Sequence, residues 1–250
     1  MAESPWLINL LLVFNSKRPP FNDERVRRAL SLAIDRWQAA ESLANTTYLK
    51  FVGGIMRPGF AMATPEAELA KLPGFSHDIM ASRTEAKRLL AEAGIENLEI
   101  AFVNRDVPIP YGPAAHYVTT AWKEIGVTVS EKRLTKEWEA ALKSGDFDAG
   151  FDFAGDYFDD PTLQLAKYIS RDLSPVNYSS ATDRLLDALF IGQAVTPDPR
   201  QRANIVRDFE RRAITAANTV PILWWNRIIV NSARVTANVF SGRVGDIIPT

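Results

Sequence analysis

Gly150-Phe-Asp-Phe-Ala-Gly-Asp-Tyr-Phe-Asp-Asp-Pro161 is the stretch on which the reading of this chain turns. Phe147, Phe151 and Phe153 recur at every second or fourth position, the spacing of a half-buried strand over residues 148–154. Gly155 ends the run. Four carboxylates cluster there, Asp152, Asp156, Asp159 and Asp160, and Pro161 forces a turn. In an open α/β sheet, ligands sit just beyond the carboxyl ends of the strands, where this acidic turn falls. From these residues alone, a solvated acidic loop accounts for the pattern equally well.

Working outward, residues 83–154 alternate in kind. Ser82-Arg-Thr-Glu85 has the form of a capping box. Ala86, Leu89, Leu90 and Ala93 then make a helical stripe that Gly94 stops. A strand is expected at 98–103, a helix at 111–125 ended by Gly126, and a strand at 127–133. Thr135 is expected to cap a helix through Ser144, with Gly145 as its stop. Helix and strand in alternation with short connections imply an α/β layer with parallel pairing. Right-handed crossovers then put the loops after 98–103 and 148–154 on one edge of the sheet. Asn104 and Arg105 are therefore expected near Asp156.

The flanks carry the rest of the fold. A strand is expected at 7–15. Pro19 and Pro20 delay the next helix until Asn22 or Asp23 can cap it. Val26, Ala29, Leu30, Ala33, Ile34 and Trp37 form one apolar face, with Arg25, Arg27, Arg28 and Asp35 mostly on the other. Residues 38–80 are rich in turn signals, at Gly53-Gly54, Pro58-Gly59 and Pro73-Gly74, and read as a lid-like or surface-wrapping segment. Downstream, helices are expected at 163–169, around Leu185 to Ala194, and from Asp198-Pro199 to about Ala217. The last strand, 219–226, carries Pro221, which suggests a strand start or a sheet edge. Strand side chains alternate, so of Trp224 and Trp225 one faces inward and the other outward.

Composition narrows the functional classes. The chain has 250 residues, 46% of them hydrophobic and 24% charged, with a net charge of −1. That balance lacks the basic excess of a nucleic-acid binder. No cysteine is present, so disulfides, thiolate metal sites and cysteine nucleophiles are excluded. His77 and His116 are far apart and read as surface residues. No apolar run approaches the roughly 20 residues of a membrane span, and the N-terminus lacks the form of a signal peptide. Neither a phosphate-binding glycine loop nor a nucleophile elbow occurs. The acidic turn at 152–160 leaves a glycoside-type hydrolase as the alternative enzymatic reading, since such enzymes need two carboxylates. The carboxylates lack the spacing of a calcium loop. No cofactor, metal site or catalytic residue is assigned.

Further motifs point to a family. Arg18-Pro-Pro-Phe-Asn-Asp-Glu-Arg-Val-Arg-Arg-Ala-Leu-Ser-Leu-Ala-Ile-Asp-Arg36 resembles a signature helix of the extracellular solute-binding proteins of peptide and nickel ABC importers, bacterial family 5. Glu85-Ala-Lys-Arg-Leu-Leu-Ala-Glu-Ala-Gly94, Trp122-Lys-Glu-Ile-Gly-Val127, Gly145-Asp-Phe-Asp148, Asp159-Asp-Pro161, Asn177-Tyr178 and Pro221-Ile-Leu-Trp-Trp225 follow in the family's order. The resemblance implies an α/β periplasmic-binding-protein-like lobe (type II, peptide-binding class), with a parallel-rich mixed sheet flanked by helices. It implies a hinge-like strand and connection at 1–20, the C-terminal lobe at 21–227, and the truncated start of a return segment at 228–250. It also implies a substrate-binding component of an importer, monomeric and periplasmic, that hands peptides or small molecules to a membrane permease. The chain is then expected to be a fragment whose own binding is weak. Gly155-Asp156-Tyr157 matches the turn whose aspartate pairs with a ligand α-ammonium in peptide-binding relatives. The expected ligand-contacting residues are Asp156, Tyr157, Arg105, Asn104 and Trp225.

Overall fold

The computed structural model describes residues 2–155, 158 and 160–229. Strand β1 (Ala2–Phe14) leads into helices α1 (Glu24–Leu32) and α2 (Arg36–Ala44), then the short β2 (Leu49–Phe51), α3 (Glu66–Leu69) and α4 (Ile79–Glu92). The alternating region follows as β3 (Leu98–Arg105), α5 (Tyr111–Lys123), β4 (Val127–Leu134), α6 (Trp138–Ser144) and β5 (Ala149–Gly155). Helices α7 (Pro161–Leu165), α8 (Arg184–Val195) and α9 (Pro199–Ala216) precede β6 (Thr219–Ile229). The part of the expected return segment at 230–250 lies outside the described residues.

The six strands make one sheet in the order β2-β6-β1-β5-β3-β4. β3 pairs in parallel with both β4 and β5, as the alternation required. β1 runs antiparallel to β5 and β6, and β2 antiparallel to β6. Parallel pairing is thus confined to one half of the sheet, a narrower extent than the expected parallel-rich sheet. The strand expected at 7–15 is part of β1, which lies between β6 and β5. These directions place the carboxyl ends of β3, β5 and β6 and the amino ends of β1 and β2 along one edge.

Alternation along β1 divides the core. Leu10, Leu12 and Phe14 face the layer built by α1, α2, α4 and α5, with Phe102, Trp122 and Phe151. Leu11 faces the opposite layer, where Leu165, Leu186, Val206 and Phe209 pack from α7, α8 and α9. A fully buried large apolar side chain stabilises by about 1.5–3 kcal/mol, and such side chains cover both faces of the sheet. Pro221 is accommodated inside the sheet because β1 and β6 slip register between Leu10 and Leu11, opposite the proline. The lost N–H donor therefore falls at a bulge.

Local chemistry departs from the sequence reading at several starts. The first helix does not run through to Trp37. Asp35 instead caps a second helix by accepting from the Gln38 amide at 3.0 Å, and the chain turns before it. α4 begins at Asp78, which accepts from the Ala81 amide at 2.9 Å, so Ser82 lies a turn inside the helix and its hydroxyl donates to the Asp78 carbonyl. α6 starts at Trp138 and not at Thr135. Gly145 does end it, in the left-handed conformation at φ 78° that glycine adopts without a Cβ penalty. Arg27, expected on a solvent face, is buried and donates to the Ala216 and Phe21 carbonyls at 2.7–3.1 Å, fastening α1 to the end of α9.

Candidate ligand edge of the sheet

β3 ends at Arg105 and β5 at Gly155, one strand apart on the same edge. Asp156 and Tyr157 follow directly in sequence but lie, with Asp159, outside the described residues. Their expected contacts are therefore not placed.

The Arg105 guanidinium stands among three aromatic rings. Its carbon is 4.9 Å from the Trp138 ring centroid, 5.1 Å from Tyr111 and 5.6 Å from Phe153. Tyr111 is the first residue of α5 and Trp138 the first of α6, so two helix starts and β5 together hold one cation. One guanidinium nitrogen donates to the Tyr111 hydroxyl at 3.1 Å. Among the described residues Arg105 has no carboxylate partner, and its remaining donors are uncommitted. Cation–π contact fixes the group without using those donors. Burial pushes the Tyr111 hydroxyl above its ordinary pKa despite the neighbouring guanidinium, so it stays protonated at neutral pH.

Asn104 has another place. It is fully buried. Its amide nitrogen donates to the Tyr111 carbonyl at 3.2 Å and to Glu131 Oε1 at 2.8 Å, and its Oδ1 accepts from the Arg105 amide at 2.8 Å. Asn104 thus ties the end of β3 to the first turn of α5, beneath the ring that holds Arg105. It has no free face for a ligand.

The acidic residues around the turn are spent on structure where they are described. Asp152 is buried on the α7 side, and Lys167 donates to it at 2.7 Å. Burial raises its pKa, against the pull of the lysine. Asp160 caps α7 by accepting from the Thr162 amide at 2.8 Å and meets Arg202 at 3.2 Å. Burial works against its ionisation, but the Thr162 and Arg202 bonds outweigh that and hold it below the ordinary carboxylate range.

At the other end of the edge, the alternation of the paired tryptophans is as expected. Trp224 is fully buried and donates to the Gly54 carbonyl at 3.0 Å. Trp225 is half-buried. It stacks on Tyr48 at 6.1 Å and meets Trp6 edge-on at 6.4 Å, and its buried indole N–H has no acceptor among the described residues. Trp6, Tyr48, Trp225, Ile228 and Ile229 line an apolar cleft of about 330 Å³. Tyr48 escaped the sequence reading because β2, only three residues long, carries too little pattern to be seen, and Trp6 because the first strand was expected to begin at Leu7. Phe153 was visible only as one aromatic of its strand, and Trp138 carried no signal of its own. His77 and His116 are exposed, His77 stacked on Trp37 at 4.3 Å.

Residues 2–172 match the family described as bacterial extracellular solute-binding proteins, family 5 Middle. The chain belongs to this family. It is 28% identical over 236 residues to the periplasmic oligopeptide-binding protein OppA of Escherichia coli, an alignment covering 88% of this chain and 40% of the relative. The chain therefore spans less than half the length of that curated relative. Among solved structures, the Escherichia coli murein tripeptide binding protein MppA superimposes with a TM-score of 0.79 at 22% identity, over 90% of this chain and 43% of the other. Haemophilus influenzae OppA in complex with RPPGFSPFR gives 0.78 at 19% identity, over 99% and 48%. At those identities the solved structures establish the shared fold. The family-5 fold thus agrees with the periplasmic-binding-protein-like lobe expected from the resemblance.

Proposed function

We propose that this chain is one lobe of the substrate-binding component of an ABC importer, capturing peptides along the sheet edge where β3, β5 and β6 end. The carrying observation is Arg105: a guanidinium locked by three aromatic rings, with open donors and no carboxylate partner among the described residues, one strand from the turn that begins Asp156-Tyr157. The ligand's α-ammonium pairs with Asp156. A carboxylate of the ligand takes the open donors of Arg105, a charge-assisted and geometrically specific bond. Tyr157 and Trp225 supply apolar walls, and Asn104 sets the position of Arg105 from below. Relatives named for oligopeptide and murein tripeptide binding support the peptide as ligand class. Delivery to a membrane permease, a periplasmic location and a monomeric state belong to the same reading. The hydrolase alternative gains no support from the carboxylates that are described, since Asp152 is sequestered with Lys167 and Asp160 caps a helix.

Calorimetry on the whole protein tests this. Asp156→Ala, and separately N-acetylation of the peptide, are each expected to weaken binding by about 30-fold, the scale of one lost bond to a charged group. Unchanged affinity of Asp156→Ala for free-amine peptides would overturn the assignment. The chain alone, with one wall of the site, is expected to bind at roughly millimolar affinity or not at all.

A further inference from the structure

The apolar cleft at the β6 end of the edge has a cause in the sheet itself. Between the Pro5–Asn226 and Asn9–Trp224 pairs, three residues of β1, Trp6 to Ile8, oppose one residue of β6, Trp225. β2 slips against β6 at the same place, between Leu49 and Phe51. Extra residues in one strand bend it and re-aim its side chains, so the ladder is interrupted on both sides of Trp225. The cleft of about 330 Å³ lies at that interruption, with Trp6, Tyr48 and Trp225 as its rings and Ile228 and Ile229 beside them. Tyr48 is 48% exposed and Ile228 47%, so large apolar surface faces water there. Single exposed apolar side chains are ordinary, but several converging on one concavity mark a binding surface.

The cleft is continuous with the peptide edge. Ile8 pairs with Gly155, the last residue of β5, and Trp6 stands two residues further along β1, about 7 Å by the rise of a strand. β6 lies two strand positions from β5, about 10 Å. An extended peptide advances about 3.3 Å per residue, so a ligand held at Asp156 brings a side chain of its first three residues within reach of the cleft. The lining selects among side chains. Arg227, its one charged residue, disfavours lysine or arginine, and the apolar walls would strip water from any charge. We infer that this cleft is a specificity pocket for one uncharged aromatic or branched aliphatic side chain of the bound peptide. The inference rests on the peptide reading above and adds to it the class of peptide favoured.

The test is calorimetry on the whole protein with Ala-Ala-Ala, with the three tripeptides in which one alanine is replaced by phenylalanine, and with the three in which it is replaced by lysine. Phenylalanine at one position is expected to tighten binding by about tenfold or more, the scale of burying an aromatic side chain. Lysine at that position is expected to give no gain. Tyr48→Ser should cut the phenylalanine gain to about threefold or less and leave Ala-Ala-Ala affinity unchanged. Tyr48 and Trp6 are both partly exposed, so Trp6→Ser serves as a second variant should the first fail to fold. No position with a phenylalanine gain, an equal gain from lysine, or a gain that persists in the folded variants would each overturn the inference. If no tripeptide binds at all, the peptide reading fails, and N-acetylphenylalaninamide, which lacks charged termini, then decides the cleft. Saturable shifts of the Trp6 and Trp225 indole N–H signals in NMR, lost in Tyr48→Ser, are expected, and their absence would overturn the cleft as an aromatic pocket too.

Discussion

Two pairs of like residues separate the interior of this lobe from its ligand edge. Arg36 and Arg105 are both set against aromatic rings, yet Arg36 is fully buried with its donors spent. It donates to the carbonyls of Pro221, Gly74, Ser31 and Ile34 and to the Ser31 hydroxyl, at 2.5–3.3 Å, with Phe75 under its guanidinium. Burial lowers its pKa to about 9, so it remains charged at neutral pH. Arg105 uses one donor on Tyr111, and the rest are unspent among the described residues. Trp224 and Trp225 repeat the contrast one residue apart: one indole is buried and bonded, the other half-buried with its N–H unpaired. Residue type does not decide the role. What decides it is whether the polar groups are already satisfied by the fold.

That contrast can be broken by substitution. Trp224→Ala is expected to cost about 3–5 kcal/mol in urea unfolding, the range for an emptied aromatic site in a core. Trp225→Ala should cost less, about 1–2 kcal/mol, because that ring is only partly buried at the edge of the core. Equal losses would remove the distinction between the two positions. Arg36→Met leaves several buried carbonyls without donors and is expected to cost about 3 kcal/mol. Arg105→Gln should change stability by less than about 1 kcal/mol while weakening a carboxylate-bearing peptide about tenfold in the whole protein. If Arg105→Gln instead destabilises as much as Arg36→Met, the caged arginine is a structural strut and not a ligand contact.

The sequence carried this contrast unevenly. The half of the sheet built by β3, β4 and β5 was legible because each strand is flanked by a helix with a stop glycine, and parallel pairing then follows from handedness. The neighbourhood of Arg105 and the acidic turn followed from that topology. The caging of Arg105 did not. It depends on Tyr111 and Trp138 starting two helices: the start at Tyr111 was read correctly, but the other was expected at Thr135, three residues before Trp138. Arg27 looked solvated because a charged residue on a helix announces its charge and not the carbonyl that meets it from the end of another helix, with 189 positions between them. Asn104 was placed rightly at the edge, but the choice between facing a ligand and bracing a strand end lay in Glu131 and the Tyr111 carbonyl, which no spacing rule connects to it.

The smallest expected effect concerns a buried acid that the fold satisfies only in part. Glu210 is sealed beneath the 53–56 loop. One carboxylate oxygen accepts from the Ile55 and Met56 amides, while the other, buried, has no donor among the described residues. Burial is the main cause that raises its pKa above 4.5; the Thr64 side chain, then the Ile55 and Met56 amides and the Arg207 charge pull against it. The sign follows from proton counting. The folded state holds its proton to higher pH than the unfolded chain, so stability attached to this group is present below the ordinary glutamate range and is lost as pH rises through the folded pKa. Glu210→Gln keeps an acceptor for the two amides and removes the ionisation. The variant is therefore expected to match the parent in urea unfolding near pH 4.5 and to exceed it by about 1 kcal/mol at pH 8. A variant weaker than the parent at pH 8 would mean that the charged carboxylate itself holds the loop, and that Glu210 belongs with Arg36 among the ions whose partners the fold supplies in full.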